Sequence, residues 1–199
     1  MLKDMQLVNP GMQAEEPRPT LSMHPKKFLL WLFIVSIVML FASMTSAYIV
    51  RQGEGDWLEF ELPTLFWINT GVLLLSSATM HWAYVSARKD NLDTLKIAVA
   101  LTTVLGGSFL VGQLLGWDDL VNMGVYFVGN PSGSFLYILT GLHGFHLITG
   151  VIFLAVVFIQ TFRNRIHARQ MTTMEMCATY WHFLDGLWLY LFLFLQLTR

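Results

Sequence analysis

The sequence predicts an all-α integral membrane protein: one bundle of five transmembrane helices, N-terminus cytoplasmic and C-terminus periplasmic. Three observations carry that reading. Of 199 residues, 55% are hydrophobic and only 13% are charged, whereas soluble domains average about 25% charged residues. Five apolar runs are each long enough to cross a bilayer, which takes about 20 helical residues. Finally, the basic residues segregate to one side of those runs. Lys3, Arg18, Lys26, Lys27, Arg88, Lys89, Lys96, Arg163, Arg165 and Arg169 fall on the side of the N-terminus, leaving only Arg51 and Arg199 opposite. An excess of Lys and Arg marks the cytoplasmic face.

Residues 1–27 read as a polar, proline-bearing cytoplasmic tail, and the apolar run that follows is too long for the h-region of a secretory signal. The membrane domain is residues 28–197. Its first helix is expected at Phe28–Val50, its second at Leu65–Ala87, its third at Leu95–Leu115, its fourth at Ser134–Phe162 and its fifth at Cys177–Leu197. Each run lacks period-2 alternation and is far too long for a strand, so helices are the only regular structure that fits. Pro63 stands where a helix would start, because its missing N–H would be unpaired there anyway. Gly129-Asn-Pro-Ser-Gly133 reads as the turn before the fourth helix. The connections Arg51–Thr64, Arg88–Thr94, Gly116–Gly133 and Arg163–Met176 leave no room for a separate soluble domain. Trp57, Trp67, Trp117 and Trp181 are placed near helix ends, where aromatic belts form.

The outer loops are acidic, with Glu54, Asp56, Glu59 and Glu61 in the first and Asp118 and Asp119 in the second. Simple solvation accounts for them; docking of a basic carrier protein is the competing reading. A net charge of −1 argues against nucleic acid as a partner, and the single cysteine, Cys177, excludes a disulfide within the chain and a cysteine-based metal cluster.

The informative residues are ionisable side chains inside the last two runs. His143 and His146 interrupt the fourth, and His182 and Asp185 interrupt the fifth. Such groups in hydrocarbon cost about 2.5–3.5 kcal/mol or more unless they face protein and find partners. At about 1.5 Å per residue, His146 lies roughly 18 Å from the outer boundary, and hence roughly 12 Å from the inner one. Asp185 lies roughly 12 Å from the same inner boundary. His182 and Asp185, at i and i+3, share a helix face. The expectation is a buried polar cluster of His143, His146, His182 and Asp185 that joins the fourth and fifth helices. A metal site or haem ligation by these histidines is conceivable, but mutual satisfaction of imidazole and carboxylate is the favoured reading. Asn69 and Gln113 are expected to hydrogen-bond between helices, together with Thr70. Gly141 and Gly144, like Gly106, Gly107 and Gly150, are expected to let backbones approach closely. His81 reads as an interfacial residue. Asp185 is the only carboxylate inside a span, too few for a proton path across the membrane. A free-standing transporter or membrane haem protein is therefore the alternative of a different class.

The segment Thr140-Gly-Leu-His-Gly-Phe-His-Leu-Ile-Thr-Gly150, followed by Tyr180-Trp-His-Phe-Leu-Asp-Gly-Leu-Trp188, resembles subunit III of the haem–copper oxidases. Ile68-Asn-Thr-Gly-Val-Leu-Leu-Leu-Ser-Ser77 and Trp82-Ala83 are similar to the family's preceding helix. The ordered resemblance runs from about Phe28 to Leu197, in the family's shorter, five-helix form. It implies a non-catalytic subunit of a terminal respiratory oxidase in the bacterial cell membrane, packed on subunit I. The complex reduces oxygen with electrons from cytochrome c, or from quinol as the alternative, and pumps protons. The resemblance places no redox cofactor in this chain; haems and copper belong to partner subunits, phospholipids bind the helix surfaces, and subunit III supports proton uptake and durability. Two family carboxylates are absent: Ile37 follows Ser36, and Gly116 precedes Trp117.

Overall fold

In the computed structural model, residues 24–163 and 171–198 are described. Most of the N-terminal tail, His167 and the basic residues Lys3, Arg18, Arg165, Arg169 and Arg199 lie outside them. Among the described residues the chain forms five α-helices: α1 Pro25–Gln52, α2 Thr64–Arg88, α3 Leu92–Asn122, α4 Pro131–Phe162 and α5 Thr172–Leu197. Helices α2, α3, α4 and α5 close a square in which α2 packs on α3, α3 on α4, α4 on α5 and α5 on α2. Helix α1 stands outside the square and packs only on α4 and α5.

Local chemistry sets the helix starts. Pro25 opens α1 behind His24, whose ring nitrogen accepts from Lys26 N–H. Pro131 opens α4, and the Asn130 side chain caps it by accepting from Ser132 N–H at 2.9 Å. The same Asn130 side chain bonds Leu58 N–H and Asp56 O, pinning the α1–α2 loop to the start of α4. Gly133 lies so close to the loop that an added Cβ would sit 2.5 Å from the carbonyl oxygen of Tyr126. Asn91 caps α3 after a turn of three residues from α2.

Every helix is longer than its apolar run. The largest difference is in α3, which continues seven residues past Leu115 and carries Asp118 and Asp119 on its last turns rather than in a loop. Hydropathy ends at the edge of the apolar layer, but packing does not: Gly116 lies against Phe66, Trp117 against Tyr137, and Leu120 is fully buried. Trp181 is likewise not at a helix end. It stands ten residues into α5, 1% exposed, in the core.

By length and composition α1, α3 and α4 are apolar enough to cross a membrane. Helices α2 and α5 have spanning length but a more polar composition, through Asn69, Thr70, Ser76 and Ser77 in one and Glu175, His182 and Asp185 in the other. Hydropathy averaging counts such residues wherever they face, and Asn69, Thr70, Ser76 and Asp185 are buried. The outside of the bundle is apolar instead, with Leu29, Met39, Leu75, Val104, Leu114, Phe145 and Ile152 exposed. An exposed apolar surface on this scale needs lipid or protein around it.

Candidate functional site

The polar interior is built mainly on α2 and α5, which run antiparallel through hydroxyl and indole contacts. Trp188 Nε1 donates to Thr70 Oγ1 at 3.1 Å, and Trp181 Nε1 donates to Ser76 Oγ at 3.0 Å. Between them His182 Nδ1 and Ser77 Oγ hydrogen-bond at 2.7 Å. Around this seam, Thr79 pairs with Thr102, Trp117 with Thr140, Thr149 with Tyr180 and Thr45 with Tyr190. Interhelical hydrogen bonds of this kind contribute about 0.6 kcal/mol each within a bilayer. Their number, more than any single one, fixes the register of the bundle.

The four ionisable residues expected to form one cluster point in three directions. His143 is fully buried inside the helix square, its ring 5.1 Å from Trp188 and 6.2 Å from Phe109. Neither of its ring nitrogens has a hydrogen-bond partner among the described residues. His146 faces α1, with its ring 5.9 Å from Phe41 and 6.3 Å from Phe33; its Nδ1–H donates to the Leu142 carbonyl at 2.7 Å. His182 and Asp185 face α2. Asp185 is 3% exposed, and its carboxyl lies beside Ser77. That hydroxyl is engaged by His182, so neither carboxyl oxygen has a well-formed hydrogen bond. No hydrogen bond links His143 or His146 to His182 or Asp185 among the described residues. The expected similar depth of His146 and Asp185 does not bring them together, because the 100° turn between successive helical residues sends side chains to different neighbours.

The packing residues also sort differently from the sequence expectation. Asn69 is wedged against α3: a Cβ on Gly112 would lie 2.1 Å from Asn69 Oδ1. Gln113 is buried, but neither its oxygen nor its nitrogen is hydrogen-bonded among the described residues. Among the described residues Gly144 supports no close approach, since a Cβ there would meet nothing within 4 Å, and a Cβ on Gly141 would make only ordinary contact with Trp117 at 3.8 Å. The close approaches occur at Gly106, Gly112, Gly133 and Gly150. Gly107, beside Gly106, faces open space.

Sequence reading missed Ser77, which touches both α5 ionisable residues. Its only signal is its place two helical turns from Thr70 on α2, since its partner His182 stands six residues before Trp188, the partner of Thr70, on α5. His81, one turn from Ser77, lies 6.3 Å from the His182 ring.

Among the described residues no three His, Cys, Asp or Glu side chains come together as ligands. His182 is occupied by Ser77, His146 by its own helix, and His143 is enclosed by aromatic rings. Ile37 is buried in the core and a Cβ on Gly116 would lie 3.0 Å from Phe66, so neither position offers an acid or room for one.

Comparison with known proteins adds an independent line. The family model described as cytochrome c oxidase subunit III matches residues 57–198. Cytochrome c oxidase subunit 3 of Thermostichus vulcanus is 30% identical over 179 residues, covering 85% of this chain and 86% of that protein. Subunit 3 of Bacillus sp. (strain PS3) is 27% identical over 184 residues, covering 90% and 88%. Subunit 3 of Loxodonta africana is 34% identical over 136 residues, covering 67% of this chain but 49% of its own length.

Proposed function

Because the chain belongs to the cytochrome c oxidase subunit III family, we propose that it is a non-catalytic subunit of a bacterial haem–copper oxidase, taking electrons from cytochrome c. The polar interior carries this reading. Its hydroxyl–indole seam holds α2 and α5 in register, and its ionisable groups diverge among the described residues instead of assembling a site. Haems and copper then reside in partner subunits, and this chain contributes packing. The relatives, all subunits of cytochrome c oxidases, favour cytochrome c over quinol as electron donor.

In this reading all five helices span the cell membrane, with the N-terminus cytoplasmic and the C-terminus periplasmic. The apolar exterior, the inward-facing polar groups of α2 and α5, and the one-sided distribution of Lys and Arg support it. Residues 28–197 then form one membrane domain behind a cytoplasmic tail. The exposed apolar faces serve subunit I on one side and phospholipid on the others. The subunit supports proton uptake and durability of the complex without an acid at Ile37 or Gly116, while His143, His146, His182 and Asp185 serve as structural residues of its interior.

Purification in mild detergent tests the proposal. The chain should co-purify with a haem- and copper-bearing subunit that oxidises cytochrome c, while the separated chain is colourless. A haem band intrinsic to the isolated chain, or isolation without oxidase partners, would overturn it.

A further inference from the structure

Helices α1 and α5 run parallel and pack along their length. Lys27 pairs with Glu175 where both begin, the Phe33 and Tyr180 ring centroids lie 5.8 Å apart, and Thr45 Oγ1 meets Tyr190 OH at 3.0 Å. Two cavities flank this packed pair. One, of about 450 Å³, opens where α1 and α5 meet the end of α2. Its walls carry four rings, those of Trp31, His81, Tyr84 and His182. The other, of about 370 Å³, is almost wholly apolar and is lined by Val38, Phe41, Phe183, Gly186 and Leu187. His182 borders both, so a polar chamber continues into an apolar groove. Each volume is within the usual ligand-pocket range of about 300–1,000 Å³. Along α5 the chamber spans about 10 Å from Glu175 to His182, and the groove about 12 Å more to Tyr190.

We propose that the chamber and groove bind one isoprenoid quinone, its ring in the chamber and the start of its tail in the groove. The inference rests on the membrane-subunit reading above; electrons still enter the complex from cytochrome c, and the quinone is a bound ligand of this chain. Three features select a quinone among amphiphiles. The first is charge. Lys27 and Glu175, the charged residues that line the chamber, are spent on each other, and Arg88 is held over the Tyr84 ring, 5.7 Å from its centroid. An uncharged head leaves both arrangements intact, whereas a phosphate would have to break one of them. The second is shape: a flat, conjugated head stacks on ring walls, and the tail follows the apolar groove. The third is hydrogen bonding. Tyr84 brings a hydroxyl, and His182 gives Nδ1 to Ser77 at 2.7 Å, which leaves Nε2 for a ligand. When the Ser77 hydroxyl donates to Nδ1, Nε2 carries the proton and donates to a quinone carbonyl. When Nδ1–H donates to Ser77 instead, Nε2 accepts from a quinol hydroxyl. One imidazole thus serves both redox forms.

Two substitutions test the site from its two ends. Gly186 lines the groove, and a Cβ there would meet nothing within 4 Å, so Gly186→Leu fills the tail path without pushing on the bundle. Tyr84→Phe keeps the ring under Arg88 and removes only the hydroxyl. The purified oxidase complex, washed free of native quinone in detergent, is dialysed to equilibrium against micelles containing decylubiquinone. Bound quinone is then extracted and counted by its absorbance. Wild type should bind one quinone per complex and Gly186→Leu none at the same concentration, with haem content and subunit stoichiometry equal. Tyr84→Phe should bind about 2–10-fold more weakly, the loss of one hydrogen bond, and it decides the question even where the leucine variant assembles poorly. No binding by wild type, equal occupancy in wild type and Gly186→Leu, unchanged affinity in Tyr84→Phe, or displacement of the quinone by an equimolar phospholipid would overturn the proposal. Absence of this chain from the haem-bearing complex would instead be a failure of the subunit reading itself.

Discussion

Gly106 and Gly107 are adjacent on α3, and a methyl group added to each should have opposite consequences. A Cβ on Gly106 would lie 2.6 Å from Trp181 Cη2 and 2.9 Å from Cζ2. The indole has nowhere to retreat. It is 1% exposed, its Nε1 is held by Ser76, and its other edge packs at 3.6 Å from a Cβ built on Gly150. Overpacking of this kind costs about 1–3 kcal/mol, which multiplies the equilibrium for opening the core by about 5–150. A Cβ on Gly107 meets nothing within 4 Å, and replacing a mid-helix glycine with alanine favours the helix by up to about 1 kcal/mol. The chain carries its own reporter. Cys177, its single cysteine, is buried in the same core cluster as Trp181. Its labelling by a thiol reagent in the intact complex therefore follows local opening. Gly106→Ala should accelerate labelling about 5–150-fold, and Gly107→Ala should leave it unchanged or slow it. Trp181→Phe removes the two clashing ring atoms, so adding Gly106→Ala to it should cost less than in wild type, a coupling that a double-mutant cycle measures. Wild-type labelling in Gly106→Ala, or equal acceleration in both alanine variants, would refute the wedge.

Three further outcomes follow from the interior. Thr70→Val keeps the side-chain shape but removes the acceptor of Trp188 Nε1; it should weaken the α2–α5 seam by about 0.6 kcal/mol, at most about 1.7, raising the Cys177 labelling rate no more than about twentyfold. His143→Leu removes two buried ring nitrogens that have no partner, and an unsatisfied buried polar group costs about 1–3 kcal/mol. The temperature at which this subunit leaves the complex on a native gel should hold or rise, and a fall would mean that His143 has a partner in the assembly. Asp185→Ala should lower the amount of this chain retained in the purified complex while oxygen consumption per haem stays within about twofold. Normal retention with lost oxygen reduction would contradict a packing role.

The helices and their order were legible because membrane burial is written in bulk composition: twenty consecutive apolar residues admit few structures. The helix ends were less so. Asp118 and Asp119 continue α3 beyond the apolar run because Leu120 and Trp117 still have partners there, which hydropathy cannot register. The polar residues of α4 and α5 were visible as residues but not as a site. Depth follows from counting along one helix, whereas direction depends on how each helix is rotated against its neighbours. That rotation is set by side-chain fit, so His143, His146 and Asp185 face aromatic rings, α1 and α2 respectively. Ser77 went unnoticed because a serine in an apolar run is ordinary until its partner is known.

The sequence by itself determined the material of this protein: five long apolar helices, a polar minority inside them, the one-sided basic residues and the ordered motifs of its family. Tertiary structure alone decided which members of that minority meet. Neighbouring glycines with identical chemistry became a wedge at Gly106 and open surface at Gly107, and α1 was held along α5 by Lys27–Glu175, Phe33–Tyr180 and Thr45–Tyr190. The physical reason is the same in each case. Composition sums over residues regardless of direction, while contact depends on the angle at which each residue leaves its helix.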